Sequence, residues 1–436
     1  MKSPLHITPF SIQIDAGILS DLRERIRNTR WPDQAPGTAW EQGTDRAYLA
    51  RLLAYWADEF DWGAQERRLN AFHQFRAELD GVHIHFVHER SRQGRGIPLI
   101  LTHGWPSTFA ELLPLVPFLT DPKAHGIDGP AFDVVIPSLP GYGFSERPTQ
   151  AGVNYQHVAG LWHRLMRGLG YDRYGAQGGD FGAGVTTFMA LTEPEPMIGV
   201  HLSNLEISPY TGPGSRPLSA AEEAYRAINE AFWQTEYGYK AIQSTKPQTL
   251  GYGLNDSPAG LASWILEKWR AWADSRGNLE ERFSRDFLLT TVTLYWVTQT
   301  ITSSMRDYFD NDNRRLRVTL GPAEFVSVPT GVAVFANSFV DEGTPPREWA
   351  ERLYNVRRWT PMPSGGHFAP AEEPELLASD IAAFFAGPLA FAQVPPNNVL
   401  QPTRSAGNWM GATDSSRLCV CWNSAPMPSA PPRASA

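Results

Sequence analysis

Cysteine is almost missing from this sequence of 436 residues: there are two, Cys419 and Cys421, both close to the C-terminus. That excludes a disulfide framework and gives no sign of a catalytic thiol. No His/Cys cluster has the spacing of metal ligands, so no metal is expected. Long apolar runs are missing too. No stretch of about 18 uncharged apolar residues occurs, so a membrane span is not expected. The opening residues, Met1-Lys-Ser-Pro-Leu-His-Ile-Thr-Pro-Phe10, lack the apolar core of a signal peptide. Basic runs are absent and the formal net charge is −8, which removes nucleic acid as an expected partner. What is present is an ordinary globular balance, 42% hydrophobic and 19% charged. A soluble cytoplasmic protein with a sizeable core is the expectation.

The first eighty residues are rich in Trp, Arg, Asp and Glu. Helical patterns run over residues 15–28 and 45–60, and no strand run is read there. From Gly81 the texture changes. Val82-His-Ile-His-Phe-Val-His88 alternates like a half-buried strand. Two short apolar runs, 97–102 and 132–137, end in His103-Gly-Trp-Pro106 and Leu139-Pro-Gly-Tyr-Gly-Phe-Ser145. Residues 155–169 read as a helix stopped by Gly170. This alternation predicts an α/β fold with a mostly parallel sheet. Between residues 217 and 315 it gives way to helices alone, at 219–232, 257–274 and 287–305. A strand over 325–335 and a helix over 374–385 follow. The resulting division is an N-terminal helical segment at 1–80, an α/β core at 81–216 and 316–388, and an inserted helical lid at 217–315. The Pro-, Ser- and Asn-rich residues 389–436 read as a disordered tail.

The chemistry centres on Gly178-Gly-Asp-Phe-Gly182. Small residues flank Asp180, as a tight strand-to-helix turn with a strained backbone requires. Such a turn carries serine in G-x-S-x-G hydrolases; here it carries aspartate. Asp180, an acidic pair Asp341-Glu342 and His367 follow in the order nucleophile, acid, histidine. The backbone N–H groups of Trp105 and Phe181 are the expected oxyanion donors. An attacking carboxylate that displaces at an sp³ carbon leaves an ester whose carbonyl belongs to the enzyme, and water activated by His367 can cleave it. Epoxides and haloalkanes suit that chemistry, whereas esters and amides do not. A haloalkane dehalogenase with the same nucleophile, or a non-catalytic binding protein on a hydrolase scaffold, are the alternatives.

Beyond these residues the chain resembles epoxide hydrolases of the α/β-hydrolase superfamily, in the microsomal-type branch with an N-terminal meander. The resemblance runs from about residue 5 to 388 and rests on Arg30-Trp-Pro, His103-Gly-Trp-Pro-Ser107, Pro140-Gly-Tyr-Gly-Phe-Ser145, Gly178-Gly-Asp-Phe-Gly182, Gly238-Tyr-Lys-Ala-Ile-Gln-Ser-Thr-Lys-Pro247, Leu254-Asn-Asp-Ser-Pro258, Val328-Pro-Thr-Gly331 and Gly365-Gly-His-Phe-Ala369. The membrane anchor of some relatives is not read here. The resemblance implies a cofactor-independent enzyme that turns a small apolar epoxide and water into a vicinal diol, in detoxification or aromatic hydrocarbon catabolism. It implies Tyr239 and Tyr308 as lid proton donors. It also implies a charge-relay acid after the strand at 328–335. Counting forward from Gly331 reaches Ser338; counting back from Pro346-Arg-Glu-Trp349 or from His367 reaches Asp341. Asp341 is the choice, with Glu342 in reserve. Phe232, Trp264, Trp269 and Trp296 are candidate lid aromatics, and the N-terminal segment is expected on the core and lid, with a homodimer contact as a further role.

Overall fold

The computed structural model describes residues 5–312, 320–337 and 342–386. The expected tail, and both cysteines with it, lie outside the described residues. The N-terminal part runs β1 (Ile7–Phe10), α1 (Ala16–Arg27), α2 (Arg46–Asp58), α3 (Trp62–Leu69) and β2 (Gln74–Leu79). An aspartate starts each helix. Asp15, Asp45 and Asp61 accept a first-turn backbone N–H through their carboxylates, which satisfies a donor the helix itself cannot.

The strands β1 and β2 correct the sequence reading, which saw none here. β1 is a short edge strand, and both are chosen by their partners: β1 pairs antiparallel with β2, and β2 with β3 (Val82–Glu89). Strand propensity of such segments reflects neighbours more than local pattern.

The chain continues through β4 (Ile97–Thr102), α4 (Leu115–Thr120), β5 (Phe132–Pro137), α5 (Tyr155–Gly168), β6 (Tyr174–Gly178), α6 (Phe181–Thr192) and β7 (Met197–Leu202). After a helical insertion it returns as β8 (Val326–Val334) and ends in β9 (Tyr354–Pro361) and a long helix, Pro374–Ala386. The nine strands lie in the order β1-β2-β3-β5-β4-β6-β7-β8-β9. β1, β2 and β3 join antiparallel, and every pairing from β5 to β9 is parallel. This is the α/β-hydrolase arrangement. Its central strands are buried along their whole length, as parallel strands covered on both faces must be.

The insertion holds seven helices among the described residues: α7 (Ala220–Glu236), α8 (Gly238–Thr245), α9 (Pro247–Leu254), α10 (Pro258–Trp272), α11 (Leu279–Arg282), α12 (Arg285–Thr298) and α13 (Ile301–Asp312). The single helix read at 287–305 is two. Gln299 adopts φ 52°, ψ 41°, a left-handed residue that ends α12, and the Thr298 hydroxyl bonds back to the Leu294 carbonyl at 2.6 Å. The apolar spacing continues across the break, which is why it escaped notice.

The N-terminal helices grip this insertion. Trp56 donates its indole N–H to Thr293 Oγ1 at 2.9 Å, Tyr55 its hydroxyl to Asp286 at 2.8 Å, and Arg25 pairs with Asp256 at 2.6 Å. Among the described residues no helix is long and apolar enough to cross a membrane.

Candidate active site

Asp180 sits between β6 and α6 with φ 52° and ψ −132°, a conformation that side chains rarely adopt. The turn is tight because the chain folds back against β4. A Cβ at Gly182 would come 1.9 Å from the Thr102 carbonyl oxygen, and one at Gly104 would come 2.3 Å from Asp180 Oδ1. Only glycine lets these segments approach so closely. The Asp180 N–H donates to Asn204 Oδ1 at 2.6 Å, so the loop after β7 braces the turn.

The Asp180 carboxylate meets two partners. The Trp105 N–H donates to Oδ1 at 2.8 Å, and His367 Nε2 lies 3.3 Å from Oδ2. Phe181 opens α6, so its N–H has no intrahelical acceptor. Its ring meets Tyr308 edge-on at 4.7 Å.

His367 is fixed by its loop. Its own N–H donates to the Trp272 carbonyl at 2.9 Å, and its ring lies 5.0 Å from that of Trp272. Around it, the buried Glu372 accepts backbone N–H groups of Gly366, Phe368 and Asp274 at 2.7–3.1 Å. Burial works to lower the pKa of His367. The hydrogen bond to Asp180 and the charges of Asp180, Glu342 and Glu111 outweigh it, and the imidazole is pushed up to about 9. In the free protein at neutral pH it is therefore imidazolium.

Tyr239, on α8, stacks on Trp105 with ring centroids 5.6 Å apart and planes 7° from parallel. Tyr308, on α13, meets Trp105 at 5.5 Å and Tyr239 at 5.8 Å, edge-on in both cases. Burial first, and then the negative charge of Asp180, hold Tyr239 well above its ordinary range; for Tyr308 the order is burial, Tyr239, then Asp180. Both phenols stay protonated donors. A cavity of about 220 Å³ opens here, bounded by Asp180, Phe181, Tyr239, Tyr308 and His367 together with Phe232, Trp233, Trp272 and Phe335. A second cavity, about 400 Å³, shares the wall formed by Phe181, Tyr308, Glu206 and Lys240.

Of the four lid aromatics named from the sequence, Phe232 lines the cavity. Trp269 is core, donating to the Pro106 carbonyl at 2.9 Å and stacked on Phe368 at 3.8 Å. Trp264 donates to Gln243 and Trp296 lies under Arg25, so both serve packing. Trp233 and Trp272 were missed, and nothing in the local sequence separates them from the remaining tryptophans. Glu206 and Glu111 were missed as well. Glu111 is buried and Glu206 half-buried, and desolvation raises the carboxyl of each to about 7. Asp341, with Ser338, lies outside the described residues. Glu342 borders the same cavity as His367 and contributes to its raised pKa. Among the described residues no group of His, Cys, Asp and Glu could hold a metal ion.

Two family models match the chain: Epoxide hydrolase N terminus over residues 7–112, and alpha/beta hydrolase fold over residues 97–249. A protein of Stigmatella aurantiaca, assigned provisionally as an epoxide hydrolase, is 42% identical over 381 residues, which cover 87% of this chain and 84% of that one. Epoxide hydrolase 1 of Sus scrofa is 38% identical over 403 residues, covering 87% and 88%. Among solved structures, juvenile hormone epoxide hydrolase from the silkworm Bombyx mori superposes with a TM-score of 0.78 at 30% identity, covering 87% of this chain and 94% of that one. Aspergillus niger epoxide hydrolase gives 0.74 at 29%, covering 87% and 96%.

Proposed function

Because the chain belongs to the epoxide hydrolases of the α/β-hydrolase fold, we propose that it hydrolyses a small apolar epoxide to a vicinal diol through a covalent ester on Asp180. The supporting observation is the Asp180 carboxylate held between the Trp105 N–H and His367 Nε2, with two protonated phenols beside it. The aromatic lining of the adjoining cavity favours an apolar substrate. In this reading residues 217–315 form the lid over a core made of 81–216 and 316–388, with 1–80 clasping both. The protein works in the cytoplasm, and the N-terminal segment also offers a dimer contact.

In the first step Asp180 attacks one ring carbon. The C–O bond of the ring breaks, and the emerging alkoxide takes a proton from Tyr239 or Tyr308. The ester carbonyl then faces the N–H groups of Trp105 and Phe181, which stabilise the oxyanion of the second step. Esterification also removes the Asp180 charge, which helps hold His367 near 9. The imidazolium can then pass its proton to the tyrosinate left by the first step, and the neutral imidazole accepts one from water. Hydroxide adds to Cγ, and collapse expels the diol oxygen, which takes the proton back from His367. The Asp180 carboxyl then gives its proton to the imidazole, which restores the starting state. One oxygen of Asp180 is replaced by that of water. Asp341 is the proposed relay carboxylate for the imidazolium, with Glu342 in reserve.

A haloalkane dehalogenase would leave the pair Tyr239 and Tyr308 without a role, and the names of the relatives offer it no support. The test is a single turnover with styrene oxide in ¹⁸O-water. Label is expected in the peptide containing Asp180, and Asp180→Asn is expected to stay folded and lose turnover. Label confined to the diol after one turnover would mean direct attack by water and would end the covalent reading.

A further inference from the structure

The steps above leave the second cavity, of about 400 Å³, without a role. Phe181, Glu206, Ser208, Lys240 and Tyr308 border it and the cavity that holds Asp180, so the two spaces adjoin at these side chains. They differ in character. Beside the reacting groups the wall presents Phe232, Trp233, Trp272 and Phe335. Past Glu206 it presents Tyr210, Thr211 and Asn311. A substrate that extends from the first space into the second has its epoxide among aromatic rings and its far substituent among polar groups.

Glu206 stands at the junction. It is half-buried, and among the described residues its one hydrogen-bond partner is the Tyr155 hydroxyl, which donates to Oε1 at 3.0 Å. A carboxylate offers about four acceptor positions, so most of its capacity is open to a ligand. Burial raises the carboxyl to about 7. The Asp180 charge pushes the same way, while Lys240, the Tyr155 hydrogen bond and His367 pull down. Ionised or neutral, the group keeps an oxygen that accepts. The surrounding charges then select what it accepts from. A carboxylate on the substrate would meet the like charges of Glu206 and Asp180, and an ammonium would meet Lys240. A hydroxyl is neutral and brings the one donor that the open oxygen can use.

We propose that Glu206 determines specificity by accepting the O–H of an alcohol carried on the substituent of the epoxide. The substrates are then hydroxylated epoxides and the products triols. The inference rests on the reading of the site as epoxide-hydrolysing, and it narrows the substrate class. The alcohol is held and takes no part in the chemistry. The ring C–O bond breaks and water adds across it as above, while the substituent hydroxyl leaves as it entered. A site with such an acceptor disfavours an analogue that lacks the donor, because a partly desolvated oxygen then goes unpaired.

The experiment compares kcat/KM for styrene oxide, its meta- and para-hydroxymethyl derivatives, and its para-carboxylate, in wild type, Glu206→Leu and Glu206→Gln. The readout is the ratio of the better hydroxymethyl probe to styrene oxide within each protein, so a general loss of activity cancels. Wild type is expected to favour the alcohol roughly tenfold, the scale of one hydrogen bond, and to turn over the carboxylate more slowly than styrene oxide. In Glu206→Leu the ratio is expected to fall to about one and the carboxylate to gain. Glu206→Gln, whose side-chain carbonyl still accepts, is expected to lie between, and it decides the matter if the leucine variant does not fold. A ratio near one in wild type overturns the assignment. So does a wild-type ratio in the folded variants, which is what a merely structural role for Glu206 produces. The two failures stay apart: hydrolysis of none of the probes by wild type sinks the epoxide-hydrolysing reading itself, whereas hydrolysis of styrene oxide without preference for the alcohols sinks only Glu206.

Discussion

At Tyr239 and Tyr308, burial and the nearby Asp180 charge push the phenols away from ionisation. Both hydroxyls therefore stay protonated and able to donate a hydrogen bond into the cavity beside Asp180. Their rings meet each other and Trp105, so removing one hydroxyl leaves the packing in place. Tyr239→Phe and Tyr308→Phe are each expected to slow ester formation roughly ten- to a thousandfold, the scale of one positioned acid shared between two donors. The double variant is expected to be nearly inactive, and stopped-flow alkylation rates check both statements. Wild-type alkylation in the double variant would remove the tyrosines from the reaction. At this scale the turn at Asp180 was legible in the sequence because Gly178, Asp180 and Gly182 are neighbours in the chain, although the crowding at Gly182 comes from Thr102 on β4. The tyrosines were legible only through resemblance, since the sequence holds fourteen.

Among the elements, α7 shows how the insertion is tied to the sheet. Ser219 and Glu222 form a capping box at its start. Glu222, its side chain wholly buried, also receives Arg352 at 2.7 Å and Arg216 at 2.9 Å. Arg352 lies just before β9, so this cluster joins the insertion to the core. Removing the charge leaves the nearly buried Arg352 without its partner. Glu222→Gln is expected to destabilise the protein by about 3 kcal/mol, the lower end for a broken buried pair, because Arg216 is half exposed. The hydrogen bond from Arg352 comes first among the causes that lower the Glu222 carboxyl to about 2, against an ordinary value of 4.5. A lowered folded pKa gives stability that is complete above about 4.5 and is lost as the pH falls toward 2. The stability difference between wild type and variant is therefore expected to shrink across that window in urea titrations. A difference independent of pH would mean that the carboxylate charge is not what holds α7. The split between α12 and α13 belongs to this scale too. A left-handed Gln299 is a conformational choice, and apolar spacing carries no trace of it.

For the whole molecule, the N-terminal segment contributes three helices that lie on the insertion and two strands that extend the sheet. Trp56 is the centre of that contact, 2% exposed and bonded to Thr293. Trp56→Ala is expected to cost about 3–5 kcal/mol through the cavity it leaves. Trp56→Phe is expected to cost less, since most of the volume survives while the Thr293 hydroxyl loses its donor. Thermal unfolding of both variants measures this, and an unchanged melting temperature for the alanine variant would mean that the segment carries little of the stability. By itself the sequence determined the α/β alternation, the elbow at Asp180 and the helices begun by Asp15 and Asp45, because those depend on residues within one turn or one strand of each other. The tertiary structure alone decided that β1 and β2 are strands, that Trp272 and Trp233 border the cavity while Trp269 is core, and that Glu111 and Glu206 come to the reaction centre. Those are distances between residues far apart in the chain, and packing, which no local pattern encodes, sets them.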